Sequence, residues 1–282
     1  MIFPSRRLSV GNHDRDGSGM TYVYPVLSRR ARGVSVGINL NPNNACNWRC
    51  IYCQVPDLKR GGPPPIDLGL LETELRTLLD ALFRGDHLER YAPPEARRVV
   101  DVAFSGNGEP TSAREFPATV ALVSRVLDDF PSSLPLRLIT NGSLLGRSSV
   151  REGIRMIGQR QGEVWFKIDG VGAETTQLIN GAYLQPSVVL DRLKVCATLC
   201  PTWVQSCFFM LDDRPPSEDA LERYLGLLAN AREALTGVHL YGLARASRQP
   251  EASRLRALPA QWFEVLAERI RDATGLTVVV SP

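Results

Sequence analysis

Short apolar runs alternate with amphipathic stretches along almost the whole chain. The runs are rich in β-branched residues and are about as long as buried strands. The stretches between them repeat apolar residues every three or four positions, which predicts helices that bury one face. The predicted strands cover 33–40, 99–106, 136–142, 164–170, 203–210, 237–243 and 276–281, and the predicted helices cover 70–83, 115–130, 147–160, 186–199, 217–235 and 259–274.

Strand and helix alternate at the spacing of βαβ units, so we expect an α/β fold with a parallel sheet. Six βα repeats followed by a last strand favour a partial (β/α)6 barrel over a full eightfold one, and a doubly wound open sheet is the alternative. Loops rich in proline or glycine are predicted over 54–69 and 84–98. We expect an N-terminal extension over 1–33 and a single barrel domain over 34–282.

The composition is that of an ordinary soluble protein, with 282 residues of which 44% are hydrophobic and 22% charged. The net charge of +3 is too weak to indicate nucleic-acid binding by itself. The sequence contains no long apolar run and no apolar N-terminal segment typical of secretion, so we expect a cytoplasmic protein that does not cross a membrane. In such a compartment, six cysteines are better interpreted as metal ligands or buried thiols than as disulfides.

Three of these cysteines follow the first predicted strand with the spacing C-x3-C-x2-C, at Cys46, Cys50 and Cys53. Thiolates on so short a loop can all reach one metal centre. Structural zinc sites need four ligands, whereas a four-iron cluster held by three cysteines leaves one iron open for a substrate. A zinc site with a distant fourth ligand and three unrelated thiols remain the alternatives.

This motif, with Tyr52 directly before its last cysteine, resembles the signature of the radical S-adenosylmethionine (radical SAM) superfamily. The resemblance implies a [4Fe-4S] cluster on Cys46, Cys50 and Cys53, with S-adenosyl-L-methionine (S-adenosylmethionine) bound at the open iron. It also implies reductive cleavage of that cofactor to a 5′-deoxyadenosyl radical, which abstracts hydrogen from a substrate. Tyr52 would lie against the adenine, and a reductant protein, flavodoxin or ferredoxin, would supply the electron.

Barrel enzymes collect their functional groups at the carboxyl ends of the strands, and polar residues occur at these positions here. "SGNGEPT" (105–111) looks like the GE motif of the superfamily, which implies that Gly108, Glu109 and Pro110 contact the methionine amino group. A plain glycine-rich turn is the alternative. Asn141, in "TNG", either forms a turn or contacts the ligand.

Lys167 and Asp169 are two positions apart at the next strand end, so both side chains are predicted to face the barrel interior. A mutual salt bridge is the alternative to contacts with S-adenosylmethionine. Gln205 is a candidate for a similar contact one strand later. The resemblance further implies that Tyr241 and Leu243, in "HLYGLAR", lie behind the adenine.

The remaining cysteines, Cys196, Cys200 and Cys207, are interpreted as packing residues, because free cysteine is among the most buried residue types. An auxiliary cluster on these three is the less favoured alternative.

Residues 23–54, with "VWFKIDG" and "WVQSCFF", resemble the group related to the tRNA wyosine-base synthases. Those enzymes carry a second cluster on cysteines N-terminal to the triad, and here no cysteine precedes Cys46. We therefore expect a radical SAM enzyme that acts on a small-molecule or peptide substrate. A tRNA-modifying enzyme is the second hypothesis, and a non-catalytic, metal-stabilised binding module is the third.

Overall fold

The computed structural model describes residue 8 and residues 19–28, 33–130 and 134–282. In chain order its strands are β1 (Val23–Ser28), β2 (Gly33–Ile38), β3 (Ala45–Cys46), β4 (Lys59–Arg60), β5 (Val99–Phe104), β6 (Leu136–Thr140), β7 (Glu163–Lys167), β8 (Thr202–Cys207), β9 (Met210–Leu211), β10 (Gly237–Tyr241), β11 (Leu255–Arg256) and β12 (Thr277–Ser281). Its α-helices are α1 (Leu68–Phe83), α2 (His87–Tyr91), α3 (Phe116–Asp128), α4 (Ser148–Gln159), α5 (Ala173–Asn180), α6 (Pro186–Leu199), α7 (Glu218–Ala231) and α8 (Ala260–Thr274).

Eight of the strands form one curled sheet in the order β1-β2-β5-β6-β7-β8-β10-β12. From β2 to β12 all neighbours are parallel, and at least one helix connects each parallel strand to the next. The six long crossover helices contact one another in chain order, as expected of a single layer outside a half-barrel. A doubly wound sheet would distribute them over two faces. The predicted partial barrel is confirmed.

The first crossover helix shows how the sequence produces this layer. Helix α1 buries an apolar stripe that includes Leu71, Leu75 and Leu78, and burial of such a stripe is the main source of helix stability in a folded domain. The helix begins two residues before the predicted start at 70, because the carboxylate of Asp67 accepts a hydrogen bond from the backbone N–H of Leu70 and caps the first turn.

The structure adds a strand that the sequence pattern did not predict. Strand β1 lies within the predicted N-terminal extension and pairs with β2 in antiparallel orientation at the edge of the sheet. Just before it, the backbone N–H groups of Thr21 and Tyr22 each donate to the carboxylate of Glu74, both over 2.7 Å. Residues Val23–Ser28 of the predicted extension are therefore sheet, and most of the rest of the extension lies outside the described residues.

Most of the parallel strands end two or three residues before the predicted positions. The apolar runs continue past the hydrogen-bonded ladder because residues such as Ile168 and Phe208 remain buried after their strands have ended. The sequence pattern also missed α5, which has only eight residues and one short apolar segment. Within the described part of the chain, no helix is both long and apolar enough to span a membrane.

Candidate functional site

A cavity of about 300 Å³ opens inside the half-barrel and extends to the carboxyl ends of the parallel strands. Of the predicted site residues, Pro110 and Asp169 lie buried behind its wall. The others line the cavity, namely Cys46, Cys50, Tyr52, Cys53, Gly108, Glu109, Asn141, Lys167, Gln205, Tyr241 and Leu243.

The three clustered cysteines are free, half-buried thiols on one wall of this cavity. Burial raises the pKa of Cys46 to about 11 and that of Cys50 to about 12. Among the described residues, no three His, Cys, Asp or Glu side chains are close enough together to hold one metal ion. A cluster that offers a separate iron to each thiolate suits this donor set better than a single tetrahedral zinc ion.

A group of asparagines shapes the chain that leads into the cysteines. Asn39 Oδ1 accepts from the backbone N–H groups of Asn41 and Asn107, at 3.1 and 3.0 Å. The side chain of Asn107 donates to Asn44 Oδ1 over 2.6 Å, and Asn41 donates to the backbone oxygen of Ala45 over 2.9 Å. We did not predict these residues, although the asparagine-rich segment "NLNPNNACN" was a visible signal.

Two glycines allow close contact between this segment and the turn after β5. A Cβ atom on Gly106, which has a φ of +147°, would lie 2.4 Å from Asn39 Oδ1. One on Gly108 would lie 2.2 Å from the backbone oxygen of Ala45. The lack of side chains at these two positions lets the turn after β5 approach the chain's own cysteine segment closely.

The carboxylate of Glu109 is used entirely within the protein. Its Oε1 accepts from the hydroxyls of Thr111 and Thr140, both over 2.6 Å, and its Oε2 accepts from the backbone N–H of Asn141 over 2.7 Å. Burial raises the pKa of this carboxyl group. The side chain therefore joins the turn after β5 to the end of β6.

Asn141 forms the turn that is one of its two predicted roles. Its Oδ1 accepts from the backbone N–H of Ser143 over 3.0 Å, which forms a local turn. Its Nδ2 donates to Asn47 Oδ1 over 2.9 Å, and Asn47 lies directly after the first cysteine. The side chain thereby links the end of β6 to the cysteine loop.

Lys167 and Asp169 lie close together, as their spacing predicted, with 3.6 Å between Nζ and Oδ2. Lys167 Nζ donates to the hydroxyls of Tyr52 and Tyr241, at 2.6 and 3.0 Å. Burial disfavours the charged lysine, but Asp169 and the surrounding groups outweigh it and raise the pKa of Lys167 well above its usual value. Lys167 therefore remains a cation on the cavity wall.

Asp169 is fully occupied by protein donors. Its Oδ2 accepts from Tyr52 over 2.5 Å and from Asn180 over 2.9 Å, and its Oδ1 accepts from the backbone N–H of Cys207 over 3.0 Å. Together with its burial, this arrangement identifies Asp169 as a residue that positions Tyr52 and Asn180.

Gln205 presents the opposite case. It lines the cavity next to Lys167 on the neighbouring strand and is 2% exposed. Among the described residues, its side-chain amide has no hydrogen-bond partner. Since buried amides are normally paired, Gln205 is the residue best placed to bind a polar group of a ligand.

Two segments that the sequence analysis missed hold the cysteine loop from outside. The C-terminal carbonyls of α5, on Ile179 and Asn180, accept from the backbone N–H groups of Ile51 and Arg49, both over 2.9 Å. Helix C-terminal carbonyls lack partners within the helix, so this loop satisfies them. Nothing in the polar sequence of α5 indicated this contact.

The second segment follows β10. Ser247 Oγ donates to the backbone oxygen of Ile51 over 2.7 Å, and Gln249 Nε2 donates to that of Val55 over 2.9 Å. Glu251 accepts two hydrogen bonds from Arg49, each of 2.9 Å. Residues 247–251 therefore fasten both ends of the cysteine loop.

The C-terminal cysteines do not form one group. Cys196 and Cys200 are buried in the main core, where burial raises the pKa of each to about 12. Cys207 lines the cavity and belongs to a separate small apolar cluster with Ile51 and Phe209. Packing accounts for the first two, and the third is part of the cavity wall.

The floor of the cavity carries a charged group that we did not predict. Arg137 on β6 pairs with Asp101 and with Glu163, the latter at 2.5 Å, and Asp101 also accepts from Ser35. The guanidinium lies 5.1 Å from the ring centre of Trp165. Among the described residues, Arg137 Nη2 has no hydrogen-bond partner, so it is available to a ligand.

No protein-family model matches the chain. It is 26% identical over 130 residues to the GTPase Obg of Brachyspira hyodysenteriae, covering 46% of this chain and 17% of that protein. It is 31% identical over 169 residues to a UPF0026 protein of Methanocaldococcus jannaschii, covering 60% of this chain and 46% of that protein. The chain thus spans less than half the length of these curated relatives, and it contains no Gly-Lys dipeptide of the kind that a phosphate-binding P-loop needs.

Two solved structures share the fold at low identity. A radical SAM methyltransferase from Sphaerobacter thermophilus superimposes with a TM-score of 0.58 and 13% identity, over 92% of this chain and 68% of that one. The structure of anSMEcpe with bound AdoMet superimposes with a TM-score of 0.51 and 14% identity, over 86% of this chain and 62% of that one. The chain therefore has the partial-barrel fold of a radical SAM enzyme.

Proposed function

We propose that this chain is a radical SAM enzyme. The observation that carries the proposal is that three free, half-buried cysteines on one loop line the same cavity as Lys167 and Gln205, at the carboxyl edge of a partial barrel. When bound, a [4Fe-4S] cluster supplies the electron for reductive cleavage of S-adenosylmethionine, whose 5′-deoxyadenosyl radical abstracts hydrogen from the substrate.

The chain's own residues divide into ligands and supports. Cys46, Cys50 and Cys53 would hold the cluster. Gln205, with an unpartnered amide, and Lys167, as a half-buried cation, would bind polar and carboxylate groups of S-adenosylmethionine.

The adenine and the methionine of S-adenosylmethionine would occupy opposite ends of the cavity. Tyr52, Tyr241 and Leu243 line the cavity where an adenine would lie. The backbone of Gly108 and Glu109 would bind the methionine amino group.

The side chain of Glu109 keeps a structural role in this proposal, because protein donors already occupy its carboxylate. The same holds for Asp169. Pro110 packs behind the turn, and Asn141 links β6 to the cysteine loop.

A small-molecule or peptide substrate fits the floor of the cavity. One arginine there is paired with two carboxylates, so a phosphate or a second carboxylate would meet net repulsion. Arg137 Nη2 can instead donate to a neutral acceptor such as a carbonyl or hydroxyl oxygen. The need to reach this group inside the barrel favours a small molecule or peptide over tRNA, the alternative.

The electron would come from a reductant protein such as flavodoxin or ferredoxin, in a reducing compartment such as the cytoplasm.

Anaerobic reconstitution tests the proposal. The protein should take up about four irons per chain and, with dithionite, convert S-adenosylmethionine to methionine and 5′-deoxyadenosine. The Cys46/Cys50/Cys53→Ala variant should bind no cluster, whereas a Cys196/Cys200→Ala control should bind as much iron as the wild type. One zinc per chain without reconstitutable iron would refute the enzyme and favour a metal-stabilised binding module.

A further inference from the structure

Asn180, the last residue of α5, contacts a cysteine and a carboxylate with the same side-chain group. Its Nδ2 lies 3.2 Å from Cys50 Sγ and 2.9 Å from Asp169 Oδ2. Because an ionised carboxylate can only accept a hydrogen bond, the group that faces Asp169 has to be the NH2 end of the amide. Its two N–H bonds are therefore available for two acceptors, and one of these acceptors is the sulfur.

This geometry is held from both sides. The other oxygen of Asp169 accepts from the backbone N–H of Cys207, which fixes the carboxylate on the barrel. The backbone oxygen of Asn180 accepts from the N–H of Arg49, one residue before Cys50. Asn180 itself is 1% exposed, so water does not compete for its amide. The surrounding hydrogen bonds therefore hold the Asn180 amide against the sulfur of Cys50.

We propose that Asn180 is a positioning residue that raises the reduction potential of the cluster that Cys50 would help to hold. This inference rests on the proposed function. A hydrogen bond to a cysteine sulfur withdraws negative charge from it and so favours the reduced, more negative cluster. The half-buried cation of Lys167 lies near the same sulfur and acts in the same direction, and it remains in place when Asn180 is replaced.

The experiment compares midpoint potentials of reconstituted proteins by anaerobic redox titration with electron paramagnetic resonance. Asn180→Leu removes the donor while it keeps the side-chain volume similar. Thr176→Val is the matched control, because Thr176 is buried on the same helix and, among the described residues, its hydroxyl bonds only to backbone groups of Gly172, Ala173 and Leu184. Asn180→Ala removes the same donor, and its midpoint potential is measured instead if the leucine variant does not fold.

We expect the Asn180 variant to hold as much iron as the wild type and to show a midpoint shifted to more negative potential, with no shift in Thr176→Val. An unshifted midpoint at full iron content would overturn the inference. Loss of iron from both Asn180 variants but not from the control would also overturn it, because the amide would then serve loop assembly. A wild-type protein that takes up no iron would instead refute the proposed function.

Discussion

The hydroxyl of Tyr52 donates to the carboxylate of Asp169 over 2.5 Å, and this bond joins the cysteine loop to the end of β7. The two residues are 117 positions apart in the sequence. Asp169 holds Asn180 and the backbone of Cys207 at the same time. The carboxylate is therefore the point at which the cysteine loop, helix α5 and strand β8 meet.

Replacement of Asp169 by alanine should destabilise the metal-free protein strongly. The change removes three hydrogen bonds and leaves Lys167 without its buried counter-charge, a loss of about 3–5 kcal/mol in the free energy of unfolding. Urea denaturation measures this value. The Lys167→Met/Asp169→Leu double variant should lose less, and a single variant as stable as the wild type would show that the charges are not coupled.

Replacement of Gln205 by leucine should leave the stability of the metal-free protein unchanged, because the amide has no internal partner to lose. It should weaken S-adenosylmethionine binding up to about tenfold, since a hydrogen bond contributes about 0.5–1.5 kcal/mol. Calorimetric titration of the reconstituted protein measures the affinity. Gln177→Leu, the same change at an exposed position of α5, is the control. If Gln205→Leu and Gln177→Leu bound S-adenosylmethionine equally well, Gln205 would not be part of the binding site.

The stability difference between the wild type and Glu109→Gln should depend on pH. Burial raises the pKa of Glu109 in the folded state, so folding favours the protonated carboxyl group. The stabilisation that the protonated Glu109 provides is complete below the unfolded-state pKa of about 4.3. It is lost as the pH rises through the pKa of Glu109 in the folded state. Relative to the variant, the wild type should therefore be most stable in acid. Unfolding curves from acid to neutral pH test this, and the opposite trend would show that the hydrogen-bond donors around Glu109 hold the carboxylate ionised.

The six cysteines should separate into two classes by their rate of alkylation in the metal-free protein. Cys196, Cys200 and Cys207 are buried, so reagents cannot reach their thiols, whereas the three loop cysteines are partly exposed. Iodoacetamide at mildly alkaline pH should label the half-buried cysteines of the 46–53 loop first. Peptide mass spectrometry measures the order. Early labelling of Cys196 or Cys200 would contradict their place in the core.

The fold could be predicted from the sequence because the patterns that indicate strands and helices lie within short stretches of the chain. Apolar periodicity reports which face of each element is buried, and six successive βα repeats leave few arrangements other than a partial barrel. The cysteine spacing is also a local pattern. The polar residues at the strand ends could be predicted to share one site because parallel strands place their carboxyl ends at one edge of the sheet. Lys167 and Gln205 were therefore predicted at the site, and both line the cavity.

The roles of individual side chains were decided by the tertiary structure. From the sequence, Asp169 and Gln205 were equivalent candidates for binding the cofactor, yet one is saturated by protein donors and the other has none. Asn180 reaches Cys50 across 130 positions, from a helix too short to leave a periodic signal. Whether a polar group is free for a ligand depends on which distant donors the fold brings to it. Local sequence determines which side chains are buried and to which side of their strand or helix they point. Only tertiary packing determines their hydrogen-bond partners.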